Sequence, residues 1–310
     1  MTAICADVQK TVDFYVSVLG LRFIKKTVNF DVPDTYHIYF GDYLGTPGTA
    51  MTFFGWPHLP WGAAGTGQVT TVSFAIPAGA VDSWERRLHD AGITVSREQR
   101  FGVDVLGLED PDHISIDLVG EALDTRWVPW PESPVDEAEQ VRGFHSVALS
   151  VADEAPTAAF LTGVMGFNEV GRADMRVRYR TGDGGPASTL EVITRPELEP
   201  GTETTGSVHH VAWRAADDAH ELAWRETLLD HGQQVTPVIE RKYFRSIYFR
   251  IPGGILFEIA TDKPGFTVDE PAEQLGSGLQ LPPHAEDNRE NLKFNLTPIV
   301  VPTTNQVPAR

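Results

Sequence analysis

Residues 206–235, GSVHHVAWRAADDAHELAWRETLLDHGQQV, change their apolar period once along their length. Up to Ala215 apolar and polar positions alternate, as in a half-buried strand. Beyond it the apolar positions recur at helical spacing until Gly232, which stands where a helix is stopped. The same order returns at 142–167, at 2–28 and at 67–95. Asp7, Asp153 and either Asp217 or Asp218 fall where an N-cap belongs, because a carboxylate there satisfies free backbone N–H groups. Gly20, Gly92, Gly166 and Gly232 fall just past the predicted helices.

Strand-like segments follow each helix. They are TYHIYFGD and GTAMTFFGW in the first copy, HISIDLVG in the second, MRVRYRTGD and STLEVITRP in the third, and RSIYFRIP and ILFEIATD in the fourth. Each copy therefore reads βαβββ, and the chain holds four. The predicted fold class is α+β, with paired modules making curved mixed sheets around a cavity. The expected division is an N-terminal domain of two modules over 1–130, a C-terminal domain of two modules over 141–265 and an extension over 266–310. The Pro-rich, acidic stretch 128–140 is the expected linker. The weakly periodic tail is expected to wrap the surface or to be partly loose.

The chain has 310 residues, 41% hydrophobic and 22% charged, which suits a soluble globular protein. No apolar run approaches the roughly 20 residues that span a bilayer. The opening residues show no secretory signal. Cys5 is the only cysteine, so no internal disulfide forms, and a cytoplasmic location is expected. The net charge of −18 argues against nucleic acid and against an anionic membrane surface. A small molecule is the expected partner, and a homo-oligomer is compatible with the sequence.

Two stretches concentrate the candidate chemistry. In GGILFEIATD, Leu256, Glu258 and Ala260 share one strand face, opposite Ile255, Phe257 and Ile259. A carboxylate among such neighbours needs a partner or a metal if it is buried. In SVHHVAW, His210, Ala212 and Arg214 share a face, while His209, Val211 and Trp213 take the other. First and last strands of one module can lie side by side, so His210 and Glu258 can face one cavity. Imidazole plus carboxylate, with a second imidazole, is the facial donor set of non-haem Fe(II) sites. Between the two stretches, Tyr248 can donate to a bound oxygen, and Arg241 can hold an anionic ring oxygen. His37, His58, His89, His113, His220, His231 and His284 show no ligand spacing. WGAAGTGQ (61–68) lacks the strand–loop–helix context and the Lys of a phosphate loop, and reads as a flexible loop near the cavity mouth.

DFYVSVLGLRFIKKTVNFDVPDTYHIYFGD, GTAMTFFGWP, RGFHSVALSV, VHHVAWR, RKYFRSIYFR and LFEIATDKPGF resemble the ring-cleaving dioxygenases of the vicinal oxygen chelate superfamily, most of all their hydroquinone branch. The resemblance spans nearly the whole chain and implies four βαβββ modules. It implies Fe(II), or Mn(II), held by His210, Glu258 and a first-strand His, with His209, Arg241, Tyr248 and Thr2 as catalytic side chains. The family's first strand opens His–His–Ile–Thr. Here Thr2 takes the Thr and Met1 the Ile, so both histidines would precede the first residue. The expectation is an upstream start that restores them; the other reading is a protein that kept the fold without its iron.

The implied activity is extradiol-type ring cleavage of a hydroquinone- or catechol-like aromatic by O2. The other readings are a metal-free aromatic-binding protein and a glyoxalase-like isomerase, since one scaffold serves several reactions. His145, with Glu191 and Asp117, occupies comparable strand positions in other modules and could mark a second or relic site.

Overall fold

The computed structural model describes residues 1–121, 126–185 and 187–303. Pro186, residues 122–125 and the last seven residues of the expected extension lie outside that description. All four βαβββ modules are present. The first holds β1 (Thr2–Cys5), α1 (Val8–Asp13), β2 (Arg22–Val28), β3 (Tyr36–Gly41) and β4 (Met51–Gly55). The second holds β5 (Gln68–Ile76), α2 (Val81–Asp90), β6 (Ser96–Arg100), β7 (Val103–Glu109) and β8 (Ser115–Gly120). The third holds β9 (Phe144–Val151), α3 (Glu154–Gly163), β10 (Asn168–Ala173), β11 (Arg176–Arg180) and β12 (Thr189–Thr194). The fourth holds β13 (Val208–Ala215), α4 (Asp218–Asp230), β14 (Ile239–Glu240), β15 (Arg245–Arg250) and β16 (Leu256–Thr261).

Local chemistry sets the helix limits. Asp7, Asp153 and Asp217 each accept a backbone N–H in the first turn of the helix that follows, which settles the choice between Asp217 and Asp218. Gly20, Gly92, Gly166 and Gly232 all adopt positive φ, the left-handed step that a Cβ disfavours. The first helix departs from a regular helix after two turns. Phe14–Val18 continues it as a π-helical turn, closed by Leu19 N–H on the Phe14 carbonyl at 3.1 Å. That turn sends Tyr15 into the core, 5.2 Å from the Phe40 ring and 4.8 Å from the Phe53 ring.

Two eight-stranded mixed sheets result. One runs β14-β15-β16-β13-β1-β4-β3-β2 and the other β10-β11-β12-β9-β5-β8-β7-β6. Each sheet thus draws one module from either half of the chain, the first with the fourth and the second with the third. Within each module the first and last strands are parallel neighbours, and the joints between modules are antiparallel: β1 on β13, and β5 on β9. The strands bury one face against their helices. Phe257, Ile259, Ile247 and Phe249 do this in the fourth module, leaving the alternate residues to face the hollow of the curled sheet.

The segment 128–140 is packed rather than loose. Gln140 bonds to Trp130 and Val135, and the Trp84 indole donates to the Glu139 carbonyl at 2.8 Å. The tail wraps the first module. Lys25 on β2 is fully buried and reaches Asp269 at 2.7 Å, Glu270 at 2.5 Å and the Phe266 carbonyl at 3.0 Å. A short helix, α5 (Arg289–Asn295), follows.

Asp110 joins the two sheets. It accepts Tyr15 Oη–H of the first module at 3.2 Å, and the backbone N–H groups of Asp112 and Ile114 at 2.9 Å each. Burial pushes its carboxyl up to about 7, against the partial relief of those hydrogen bonds. The folded protein therefore holds a proton there that the unfolded chain, near 3.9, has released. Stability is expected to fall as pH rises from about 4 to about 7 and then to level off. Asp110→Asn keeps the acceptor for both N–H groups and removes the charge. Urea melts at pH 5 and pH 8 should show the variant gaining on the parent with rising pH; a constant difference would contradict this account.

Candidate functional site

Strand register assembles a row of side chains across one sheet. β13 and β16 pair in parallel with Ala212 opposite Glu258, so His210, two residues earlier, lies on the same face. β15 sets Tyr248 opposite Glu258, and β1 sets Thr2 opposite His210. His210 Nε2 stands 2.9 Å from Glu258 Oε2, and Tyr248 Oη donates to Glu258 Oε1 at 2.6 Å. Ser246 Oγ lies 3.1 Å behind the phenol. Burial alone would push the Glu258 carboxyl up. The His210 imidazole and the Tyr248 hydroxyl outweigh it and hold the group at about 2. Tyr248 goes the other way: burial, and then the Glu258 charge, keep it a phenol.

The sequence puts His209 and His210 on opposite faces, yet both border the same cavity. The cause is a β-bulge. Thr2 pairs with His210 but Ala3 with Val208, so His209 is an extra residue on β13. The bulge breaks the alternation and brings the two Nδ1 atoms within 2.8 Å. Burial, with His210 and Arg250 nearby, lowers His209 to about 4, so its ring is neutral at pH 7.

The row opens into a cavity of about 780 Å³. Phe54, Trp56, Phe244 and Phe266 give it apolar walls. Arg241 also lines it, with its guanidinium 5.4 Å from the centre of the Tyr248 ring and 3.3 Å from Asp31 Oδ2. Sequence reasoning missed His37, whose ring is buried at the cavity wall. Its Nε2 meets Thr52 Oγ1 at 2.9 Å, and its Nδ1 meets the Tyr39 hydroxyl at 2.9 Å. Thr52 Oγ1 in turn lies 2.8 Å from Thr2 Oγ1. The signal was the alternation of YHIYF in β3, which puts His37 and Tyr39 on one face; a search for ligand spacing passed over it.

The donor set suits a metal only in part. His210 Nε2 and Glu258 Oε2 converge, and His209 holds the other nitrogen of His210, as a partner behind a metal-bound histidine does. Among the described residues, no three His, Cys, Asp or Glu side chains come together to hold an ion. His210 and Glu258 thus supply one imidazole and one carboxylate of such a donor set.

The family described as the Glyoxalase/Bleomycin resistance protein/Dioxygenase superfamily matches residues 1–118 and 143–259. The chain is 41% identical over 302 residues to a Bacillus subtilis protein named "Putative ring-cleaving dioxygenase MhqO", covering 97% of this chain and 96% of that one. It is 34% identical over 311 residues to a chlorohydroquinone/hydroquinone 1,2-dioxygenase of Sphingobium indicum, covering 97% and 96%. A crystal structure of a Bacillus subtilis protein described as a "putative dioxygenase" superimposes with a TM-score of 0.92 at 40% identity, over 98% of this chain and 97% of that one. Glyoxalase I from Zea mays, at 16% identity and a TM-score of 0.60 over 84% of this chain and 90% of that one, shares the fold.

The other sheet repeats the register with different residues. Asp117 pairs with Ser73, Ser73 with Ser146, and Glu191 with Ala148, so Ser146 takes the place of His210 and Glu191 that of Glu258. A bulge again adds one residue to the joining strand, and that residue is His145. His145 therefore matches His209 and does not join Glu191 as a ligand pair. It bonds to Ser146 at 2.8 Å and to Glu121 at 2.5 Å. Arg178 fills the position of Tyr248 and, with Arg176, takes both Glu191 oxygens; Arg100 takes Asp117 at 2.5 Å. Three guanidinium groups thus occupy what could have been a second site. The loop 61–68 also departs from expectation. It borders a separate hollow of about 390 Å³ beside residues 204–208, and backbone bonds to Glu199 and Gly201 tie it down.

Both Arg178 and Glu191 are almost wholly buried. Arg178→Leu should cost about 3–5 kcal/mol by leaving a buried carboxylate short of a partner, and the double change Arg178→Leu with Glu191→Leu should recover much of it. Chemical denaturation of the single and double variants checks this; equal losses in both would contradict it.

Proposed function

The chain belongs to the glyoxalase/bleomycin resistance protein/dioxygenase superfamily, and on that premise we propose that it is a non-haem Fe(II)-dependent ring-cleaving dioxygenase acting on a hydroquinone- or catechol-like aromatic. The observation that carries the reading is the buried His210–Glu258 pair at an apolar cavity of ring-accommodating size. His210 and Glu258 would hold the metal, Fe(II) or alternatively Mn(II). Bound there, it would supply the Lewis-acid and redox chemistry that ring opening by O2 needs.

The remaining roles belong to the chain's own side chains. Phe54, Trp56, Phe244 and Phe266 hold an aromatic ring and exclude water from it. His209, neutral at pH 7, accepts a proton from a ring hydroxyl. Arg241 faces the resulting oxyanion, and Tyr248 keeps its proton and steadies Glu258. The Thr2 hydroxyl, opposite His210, offers a further hydrogen bond. Substrate and O2 are the partners of this reading, and the cytoplasm is its compartment; among the described residues no helix is long and apolar enough to cross a membrane.

One observation favours a second reading. The two donors are already paired with each other at 2.9 Å, which suits a metal-free protein that holds an aromatic in the same cavity. Iron content and oxygen uptake with hydroquinone, after anaerobic loading with Fe(II), separate the two. The protein should retain iron and consume O2, and Glu258→Ala should lose both. Full activity in Glu258→Ala would overturn the assignment of Glu258. Aromatic binding without iron or oxygen uptake would establish the second reading.

A further inference from the structure

Four side chains at the cavity wall form one unbroken hydrogen-bonded row: Tyr39 Oη, His37 Nδ1 and Nε2, Thr52 Oγ1 and Thr2 Oγ1, with steps of 2.9, 2.9 and 2.8 Å. Each is buried. The row ends at Thr2, which lines the cavity and is the cross-strand neighbour of His210.

The protons in such a row are not free to choose. Tyr39 keeps its proton, because burial and then the Glu258 charge disfavour a phenolate. An imidazole nitrogen accepts hydrogen bonds better than a phenol oxygen, so Tyr39 donates to His37 Nδ1. Burial, with His210 and Arg241 nearby, keeps His37 neutral. A neutral ring whose Nδ1 accepts carries its proton on Nε2 and donates it to Thr52. Thr52, already accepting, turns its own proton to Thr2 Oγ1. The Thr2 hydrogen is then left to point into the cavity.

We propose that His37 and Tyr39 are positioning residues which, through Thr52, turn the Thr2 hydroxyl into a fixed hydrogen-bond donor beside His210, aimed at an oxygen atom of the bound aromatic. The proposal deepens the ring-cleavage reading and rests on it for the identity of that oxygen. A contrast within the molecule supports it. In the other sheet the register positions of Tyr39 and His37 hold Gly107 and Val105, so the row accompanies the His210–Glu258 pair and is absent where arginines fill the site. A donor whose direction is set before the ligand arrives needs no reorganisation when charge develops on the oxygen.

Two measurements test it on the whole chain. Long-range proton–nitrogen NMR of the 15N-histidine-labelled, metal-free protein should show His37 as the neutral Nε2–H tautomer. The Nδ1–H tautomer would overturn the proposal. In the iron-loaded protein, Tyr39→Phe and His37→Phe should each lower kcat with hydroquinone about tenfold, with KM changing less, the loss of one oriented hydrogen bond. His37→Gln, which can both accept from Tyr39 and donate to Thr52, should recover much of the rate, and Thr2→Ser should outperform Thr2→Val. Equal rates for His37→Phe and His37→Gln, or for Thr2→Ser and Thr2→Val, would overturn it. If the parent protein turns over no hydroquinone, the ring-cleavage reading fails, while the tautomer still decides the direction of the row.

Discussion

A carboxylate in the middle of a sheet is costly unless something answers its charge. Glu258 is that group here, 3% exposed, and its neighbours on both adjacent strands are arranged around it. The parallel pairing of β13 with β16 delivers His210 from one side, and the antiparallel pairing with β15 delivers Tyr248 from the other. Moving either strand by one residue would point the side chain it carries into the helix-covered face and leave the charge short of a partner. The register of the whole half-barrel is therefore tied to the chemistry at its centre.

The second sheet shows what the same scaffold does with the opposite choice. Glu191 occupies the place of Glu258, but arginines answer it instead of an imidazole and a phenol. A guanidinium is large, carries a permanent charge and binds carboxylates with a planar fork, so it both neutralises and fills the hollow. His and Tyr are smaller answers and can be displaced or rearranged, which leaves room for a ligand. One sheet became a packed ion-pair core and the other a cavity, through substitutions at a few inward positions on a shared backbone plan. The bulges at His209 and His145 belong to that shared plan, since both sit at the joint where one module meets the next.

The extension acts on the site from outside. Lys25, held by Asp269 and Glu270, pins the chain that carries Phe266 against Tyr39 and Tyr243, with ring centres 5.3 Å apart in both contacts. Tyr39 is thus packed on one side and hydrogen-bonded to His37 on the other. The aromatic wall and the polar row of the cavity share a residue, so packing at the tail restricts the freedom of a hydrogen bond near the centre.

The repeat of four βαβββ modules, the helix caps, and the apolar and polar faces of β15 and β16 were legible from period and residue type, because those features depend on neighbours a few positions apart. So was the pairing of His210 with Glu258, which needs only that first and last strands of a module adjoin. Three features were not legible. His209 turns into the cavity because of a bulge, and a bulge is defined against a partner strand. His37 became part of the site because the pairing of β1 with β13 sets the first module, with His37, Tyr39 and Thr52 on β3 and β4, beside a fourth module far away in sequence. Whether His145, Glu191 and Asp117 form a second site was open in the sequence, because the arginines that claim the two carboxylates are set opposite them only by strand pairing. Alternation along one strand follows from covalent geometry and is written in the sequence; the identity of the residue across the ladder depends on register, and register is decided when the whole sheet packs.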